Sequence, residues 1–190
     1  EALGIAVVER EGYEADDILG TLSRLAEASG NRAFLVTGDR DAYQLVGENT
    51  TLILVGTKHD EEVTPDFVQE KFGLAPRQMI DVKALAGDAG DNIPGVRGIG
   101  EKTAMDLIQK YGSIDELYAR LPDIEAKPAA IRKLTEGAEA ARHSYWLATI
   151  VTDAPMEFVP EENLLKAPGE GAYPLFLRLE FTKLIEKFSL

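Results

Sequence analysis

The chain has 190 residues, 45% of them hydrophobic and 28% charged, so it can bury one substantial core or two small ones as an ordinary water-facing globule. Cysteine is absent and there are two histidines, His59 and His143, which excludes disulfides and thiolate zinc sites and leaves a histidine-rich metal centre or a Ser-His-Asp triad without material. The net charge of -13 opposes simple electrostatic attraction to nucleic acid, unless the acid is gathered into a cation-filled pocket.

Gly4 to Val8 is apolar and β-branched enough to predict a short buried strand, followed by a loop over Glu9 to Tyr13. Glu14-Ala15-Asp16-Asp17 then opens a helix whose apolar positions Ile18, Leu19, Leu22, Leu25 and Ala26 recur at helical spacing. Acids at this end of a helix also have a purely local explanation, since they offset the positive end of its dipole. Gly30 and Asn31 stop the helix, and Ala33-Phe34-Leu35-Val36 reads as a fully buried strand running into Thr37-Gly38-Asp39-Arg40-Asp41. A strand, helix, strand order favours a parallel sheet, and ligands gather beyond the carboxyl ends of such strands, where Asp39 and Asp41 fall. A short helix over Ala42 to Val46, a strand over Thr51 to Val55 and a brief turn at Glu61-Glu62-Val63 complete this part.

From Thr64 the pattern becomes helical, which divides the chain into an α/β part over 1-63 and a helical part over 64-190. Thr64-Pro65 caps a helix that runs through Phe72 and ends at Gly73. Pro76 opens another, with the apolar positions Met79, Ile80, Val82, Leu85 and Ala86 leading into Gly87-Asp88. Asp88 and Asp91 are spaced to share one helical face, and such a pair suits a hard divalent cation that prefers oxygen ligands. Gly95, Gly98 and Gly100 let the following turn approach something bulky and anionic, at which a helix beginning near Glu101 aims unpaired N–H groups. That helix runs to about Lys110, Ser113 and Glu116 form a capping box for the next, and further helices are expected over Ala129 to Leu134 and Glu139 to Ile150. Trp146 is expected to pack into the core from the last of these. Prolines 155, 160, 168 and 174 break up the stretch from Thr152, before a final amphipathic run from Leu175 to Phe188.

Three acidic groups therefore precede the glycine turn in order, and together with Gly38-Asp39-Arg40-Asp41, the run from Gly87 to Ala104 and Tyr145 to Asp153 they resemble the 5'-nuclease family. The strongest likeness is to the N-terminal 5'-to-3' exonuclease domain of bacterial DNA polymerase I, and it covers nearly the whole chain. The resemblance implies a partial resolvase-like (PIN-like) α/β core followed by a helical module with a helix-three-turn-helix, or helix-hairpin-helix, element. It places Glu14, Asp16, Asp17, Asp39, Asp41, Asp88 and Asp91 around two magnesium or manganese ions. Gly95, Arg97, Gly98, Gly100, Lys102 and Thr103 become the grip on the backbone of duplex DNA carrying a 5' end or flap, with the carbonyls of Val96 and Ile99 as donors to a potassium ion. The implied activity is a cytoplasmic 5'-to-3' exonuclease and 5'-flap endonuclease of DNA replication and repair, with a polymerase following in cis. Ala89-Gly90 departs from the family's usual pair of serines without removing a ligand. The sequence begins at Glu1, and the resemblance implies further chain ahead of it with two more aspartates, so slow or absent cleavage by these residues alone is expected. Two other readings stay open: a non-catalytic DNA-binding module, and an RNA-directed nuclease with a similar acidic core.

Overall fold

The computed structural model describes residues 2–159 and 163–189. Helix α1 (Ala15–Ala28) leads to strand β1 (Ala33–Thr37), a 3-10 turn over Arg40–Leu45, strand β2 (Thr50–Leu54) and strand β3 (Glu61–Val63). β1 pairs parallel to β2 with Leu35 opposite Leu52, and β3 lies antiparallel on the far edge of β2 with Val63 opposite Leu52. The expected brief turn at Glu61 to Val63 is thus a third strand.

The helical part follows as α2 (Pro65–Phe72), α3 (Gln78–Ala86), α4 (Glu101–Tyr111), α5 (Ile114–Ala119), α6 (Pro128–Glu136), α7 (Ala138–Ala148), α8 (Ala172–Arg178) and α9 (Thr182–Phe188). Local chemistry explains most of the boundaries. The Thr64 hydroxyl accepts the Phe67 N–H at the start of α2, and Gly73 ends that helix in the left-handed conformation. Ser113 caps α5 in the same way, accepting the Glu116 N–H. The final amphipathic run is broken between α8 and α9, where Glu180 has a φ of 58°. Pro160 lies outside the described residues.

Two large apolar cores result, beside a small third cluster of Ile80, Ile93 and Ala148. One joins Leu35, Leu52, Leu54 and Val63 of the sheet to Tyr43, Val46 and Val68, so α2 packs with the α/β half although the change of pattern in the sequence comes before it. The other gathers Leu85, Val96, Ile99, Leu107, Ile108, Leu117 and Leu134 from α3 to α6. Among the described residues no helix is long and apolar enough to cross a membrane.

Three further expectations fail here, and α1 buries an unexpected face. Gly4 to Val8 forms no strand: Gly4 takes a φ of 75°, its carbonyl accepts the Lys166 N–H, and Ile5 and Val7 face outward. β1 is buried on one face only, with Leu35 inside and Phe34 and Val36 uncovered. The residues of α1 that are fully buried are Gly20, Thr21 and Ser23 rather than its apolar stripe, because this face packs the segment after α7. A Cβ on Gly20 would lie 3.0 Å from Ile150, and Thr21 accepts the Ala154 N–H. Trp146 is 71% exposed, since the inward face of α7 is carried by Ala141, Ser144 and Ala148, with Tyr145 packed beside them.

Candidate metal centre and nucleic-acid interface

The acids reach one place from three directions. Asp39 and Asp41 follow the carboxyl end of β1, where Asp39 Oδ1 accepts the Asp41 N–H at 2.9 Å and starts the 3-10 turn. Glu14, Asp16 and Asp17 occupy the N-terminal end of α1, locked by a reciprocal capping box between Glu14 and Asp17. Asp17 also accepts the Val151 N–H at 2.8 Å, which fixes its carboxylate while each oxygen keeps a lone pair.

The third group stands on a turn, not on one face of a helix. Gly87 ends α3, and Asp88 and Ile93 exchange two backbone hydrogen bonds across a tight reversal in which Asn92 takes a φ of 59°. Asp88 Oδ1 accepts the Gly90 N–H at 2.8 Å inside the reversal. The two aspartates are thereby held by backbone geometry.

Glu14, Asp16, Asp17, Asp39, Asp41 and Asp91 line a single cavity of about 300 Å³, closed on one side by Ile93 and by Leu147 to Ile150. Asp88 lines the adjoining cavity together with Asp41 and Lys83, so Asp41 belongs to both. The segment after α7 that closes the first cavity is tied to the α/β half by side chains. Gln44 donates to the Ala148 carbonyl and accepts the Ile150 N–H, both at 2.9 Å, and Arg24 donates to the Thr152 carbonyl at 2.5 Å.

Lys83, which the sequence reading passed over, stands between the acids. Its ammonium pairs with Asp41, with Asp88 at 3.0 Å and with Asp91 at 2.5 Å, on a side chain only 12% exposed. Burial works against its charge but is outweighed by the three carboxylates, so its pKa is raised. Burial raises the pKa of Asp41, partly opposed by Lys83, whereas the Lys83 hydrogen bond lowers that of Asp88. Asp16 has no such partner among the described residues; burial, then the charges of Asp39 and Asp41, raise its pKa. The signal was a lone cation at position 83 among Met79, Ile80, Val82, Ala84 and Leu85, five and eight residues before the two aspartates.

Among the described residues no three acids are drawn together closely enough to hold an ion as placed. Asp41, Asp88 and Asp91 turn toward Lys83 instead, as carboxylates do when one ammonium is the available counter-charge. The donor set itself fits a hard divalent cation, being all oxygen. The Lys83 ammonium already supplies positive charge to Asp41, Asp88 and Asp91, acids from both cavities.

The glycines of the turn divide by role. Gly95 has a φ of 60°, and a Cβ there would lie 2.3 Å from the Gly87 nitrogen; its N–H donates to the buried Ser144 hydroxyl at 2.9 Å. It serves close packing of the chain on itself, and its N–H is not free for a phosphate. Ser144 is the second residue the sequence reading missed; only a small hydroxyl on the inward face of α7 marked it. Gly98 has a φ of 81°, with its carbonyl accepting from Lys133 at 2.9 Å. Gly100 meets nothing within 4 Å and precedes α4, which has no side-chain cap. The N–H groups of Glu101, Lys102 and Thr103 are without helical partners, and Arg97, Lys102 and Thr103 are exposed beside them. Val96 and Ile99 are buried, and the Val96 carbonyl accepts the Ile99 N–H.

An acid-lined cavity thus lies at the end of a small α/β sheet, next to two helices that flank a glycine turn and leave one helix N-terminus open. The sequence matches the family profile of the 5'-3' exonuclease N-terminal resolvase-like domain over residues 1–73, and that of the 5'-3' exonuclease C-terminal SAM fold over residues 74–170. The chain belongs to the 5'-3' exonuclease family. It is 42% identical over 193 residues to the thermostable DNA polymerase I of Thermus thermophilus, covering 100% of this chain and 22% of the relative, so it spans about a fifth of the length of that protein. T5 5'-exonuclease, solved with divalent metal ions (zinc) bound, superposes with a TM-score of 0.66 at 26% identity, over 75% of this chain and 52% of the other. The catalytic core of Rad2 in complex with DNA substrate shares the fold at a TM-score of 0.63 and 15% identity, over 94% of this chain and 60% of that one.

Proposed function

We propose that the chain forms part of a divalent-metal-dependent 5' nuclease that hydrolyses phosphodiesters of DNA near a 5' end or flap, without reading base sequence. The observation that carries this reading is the convergence of six acids from α1, the β1 turn and the α3–α4 turn on one cavity, with Asp88 joined to them through Lys83. Glu14, Asp16, Asp17, Asp39, Asp41, Asp88 and Asp91 would hold the ions, magnesium or manganese. Two such ions, when bound, supply a nucleophilic water at neutral pH and offset charge on the leaving oxygen.

The rest falls to the protein's own groups. The capping box and the Val151 N–H fix the orientation of Asp17, and the Asp88–Ile93 reversal fixes Asp88 and Asp91. The free N–H groups at the start of α4, with Lys102, Thr103 and Arg97, bind backbone phosphates and set how far the duplex reaches toward the acids. Such contacts recognise shape and charge, consistent with action at a DNA structure rather than a sequence. A potassium ion at the turn would be held by the carbonyls of Val96 and Ile99, in competition with the Lys133 ammonium that meets the Gly98 carbonyl. Thermus thermophilus DNA polymerase I matches over the whole of this chain, which supports a polymerase in cis and a place in DNA replication and repair.

A cleavage assay on 5'-flap DNA with magnesium tests the reading, using the full-length protein that contains this chain, with Asp41→Ala alongside. Cleavage is expected to need magnesium and to fall by ~10- to 100-fold or more in the variant, since loss of even a group that only supports a metal ligand costs that much. Cleavage of an equivalent RNA in preference to DNA, or an unaffected Asp41→Ala protein, would contradict it.

A further inference from the structure

The segment that closes the acid cavity carries a feature the hydrolytic reading does not use. Leu147 and Ala148 line the cavity, and the residue just before them is Trp146, with 71% of its surface exposed. His143, one helical turn earlier, stacks on the indole with ring centres 6.0 Å apart and planes 22° from parallel. Leu147 on the same helical face is 41% exposed. An indole left in water costs burial free energy that the helix could have recovered by turning it inward. Here one ring face is supported by an imidazole and the rest is presented to solvent, on the residue that precedes the cavity lining.

We propose that Trp146, backed by His143, is a stacking platform for one unpaired nucleobase next to the phosphodiester that enters the acid cavity. The inference rests on the nuclease reading, because continuity with the cavity is what brings a nucleic-acid strand to this face. A flat aromatic surface suits a base of any identity, since every base has a π-face, and it requires an unpaired base or a strand end because bases inside a duplex are covered on both sides. The platform would hold the strand next to the cavity wall formed by Leu147 to Ile150, fixing which phosphate lies among the carboxylates.

Trp146 is the single tryptophan of the chain, so its emission reports on this position alone. The 190-residue chain is titrated with fluorescein-labelled 5'-flap DNA in calcium instead of magnesium, following label anisotropy and indole emission together. Saturation should quench the emission, Trp146→Ala should weaken binding roughly 5- to 100-fold, the range of one base–aromatic stack, and Trp146→Phe should restore most of it. An abasic site walked along the flap should abolish the difference between wild type and Trp146→Ala at one position only. DNA binding with unchanged emission and an unaffected Ala variant would overturn the platform and mark the face as one for a protein. Absence of any DNA binding both by the wild-type chain and by the full-length protein that contains it would instead overturn the nuclease reading, and the platform with it.

Discussion

Replacing Lys83 by Met keeps the aliphatic stem and removes the charge that faces Asp41, Asp88 and Asp91. The three carboxylates are 27%, 39% and 55% exposed, so each pairing is discounted for solvent. At up to ~1 kcal/mol for a partly exposed pair, the set contributes about 2 kcal/mol, or roughly 4–8 °C of melting temperature for a chain of this size. Without divalent ions, Lys83→Met should melt lower by that amount. In saturating magnesium the order of the effects changes, because the ammonium and the metal compete for the same oxygens. A tenfold gain in metal affinity adds about 1.4 kcal/mol of linked stabilisation, so magnesium should raise the melting temperature of the variant by more than it raises that of the wild type. Thermal melts followed by circular dichroism, over a magnesium series, measure both quantities. Equal melting without metal, or a magnesium-induced rise in the variant no larger than in the wild type, would refute the view of Lys83 as a resident counter-ion.

Asp81 is buried, and that burial pushes its pKa from an ordinary 3.8 to about 6, although its carboxylate accepts the Ile114 N–H at 2.9 Å. A raised carboxyl pKa favours the folded state below the unfolded value, and this contribution is lost as pH rises from about 4 through 6. Asp81→Asn keeps the acceptor without the charge, so urea titrations should find it more stable than wild type by ~1–3 kcal/mol at pH 7.5 and equal at pH 4; equality at both would sink the argument. Gly95→Ala should lose ~3 kcal/mol or more, since its Cβ would lie 2.3 Å from the Gly87 nitrogen, whereas Gly100→Ala, with nothing within 4 Å, should cost under ~0.5 kcal/mol. Similar melting temperatures for the two would contradict the division of the turn glycines. Isothermal titration with manganese should detect metal uptake by the wild type and lose it in an Asp88→Ala, Asp91→Ala double variant; undiminished uptake would remove the α3–α4 turn from the site.

What was legible in the sequence was what local chemistry decides. Thr64-Pro65 and Gly73 bracket α2 because a hydroxyl cap, a fixed φ and a left-handed stop act within a few residues. The order of the acids relative to the elements was legible for the same reason, as was the glycine turn between two helices. The residues that escaped depend on partners distant in the chain. Trp146 turns outward because Ser144 spends the inner face of α7 on the Gly95 N–H, 49 residues away. Gly4 to Val8 has the composition of a strand, but its Gly4 carbonyl is taken by Lys166. Gly95 looked like room for a ligand and is room for Gly87, a distinction that only the folded path of the turn can make. Lys83 was hidden by its neighbours, since a cation inside an apolar stripe acquires meaning only once three carboxylates arrive from elsewhere.

The claim on which the account turns is that the scattered carboxylates form one divalent-cation site. Crystals of the protein soaked in manganese, with anomalous difference maps calculated near the manganese absorption edge, test it most directly. The account predicts strong peaks inside the cavity bounded by Glu14, Asp16, Asp17, Asp39, Asp41 and Asp91, with the Lys83 ammonium displaced from Asp88 or Asp91. Manganese bound elsewhere on the surface, with that cavity empty and Lys83 still bridging Asp41, Asp88 and Asp91, would contradict it.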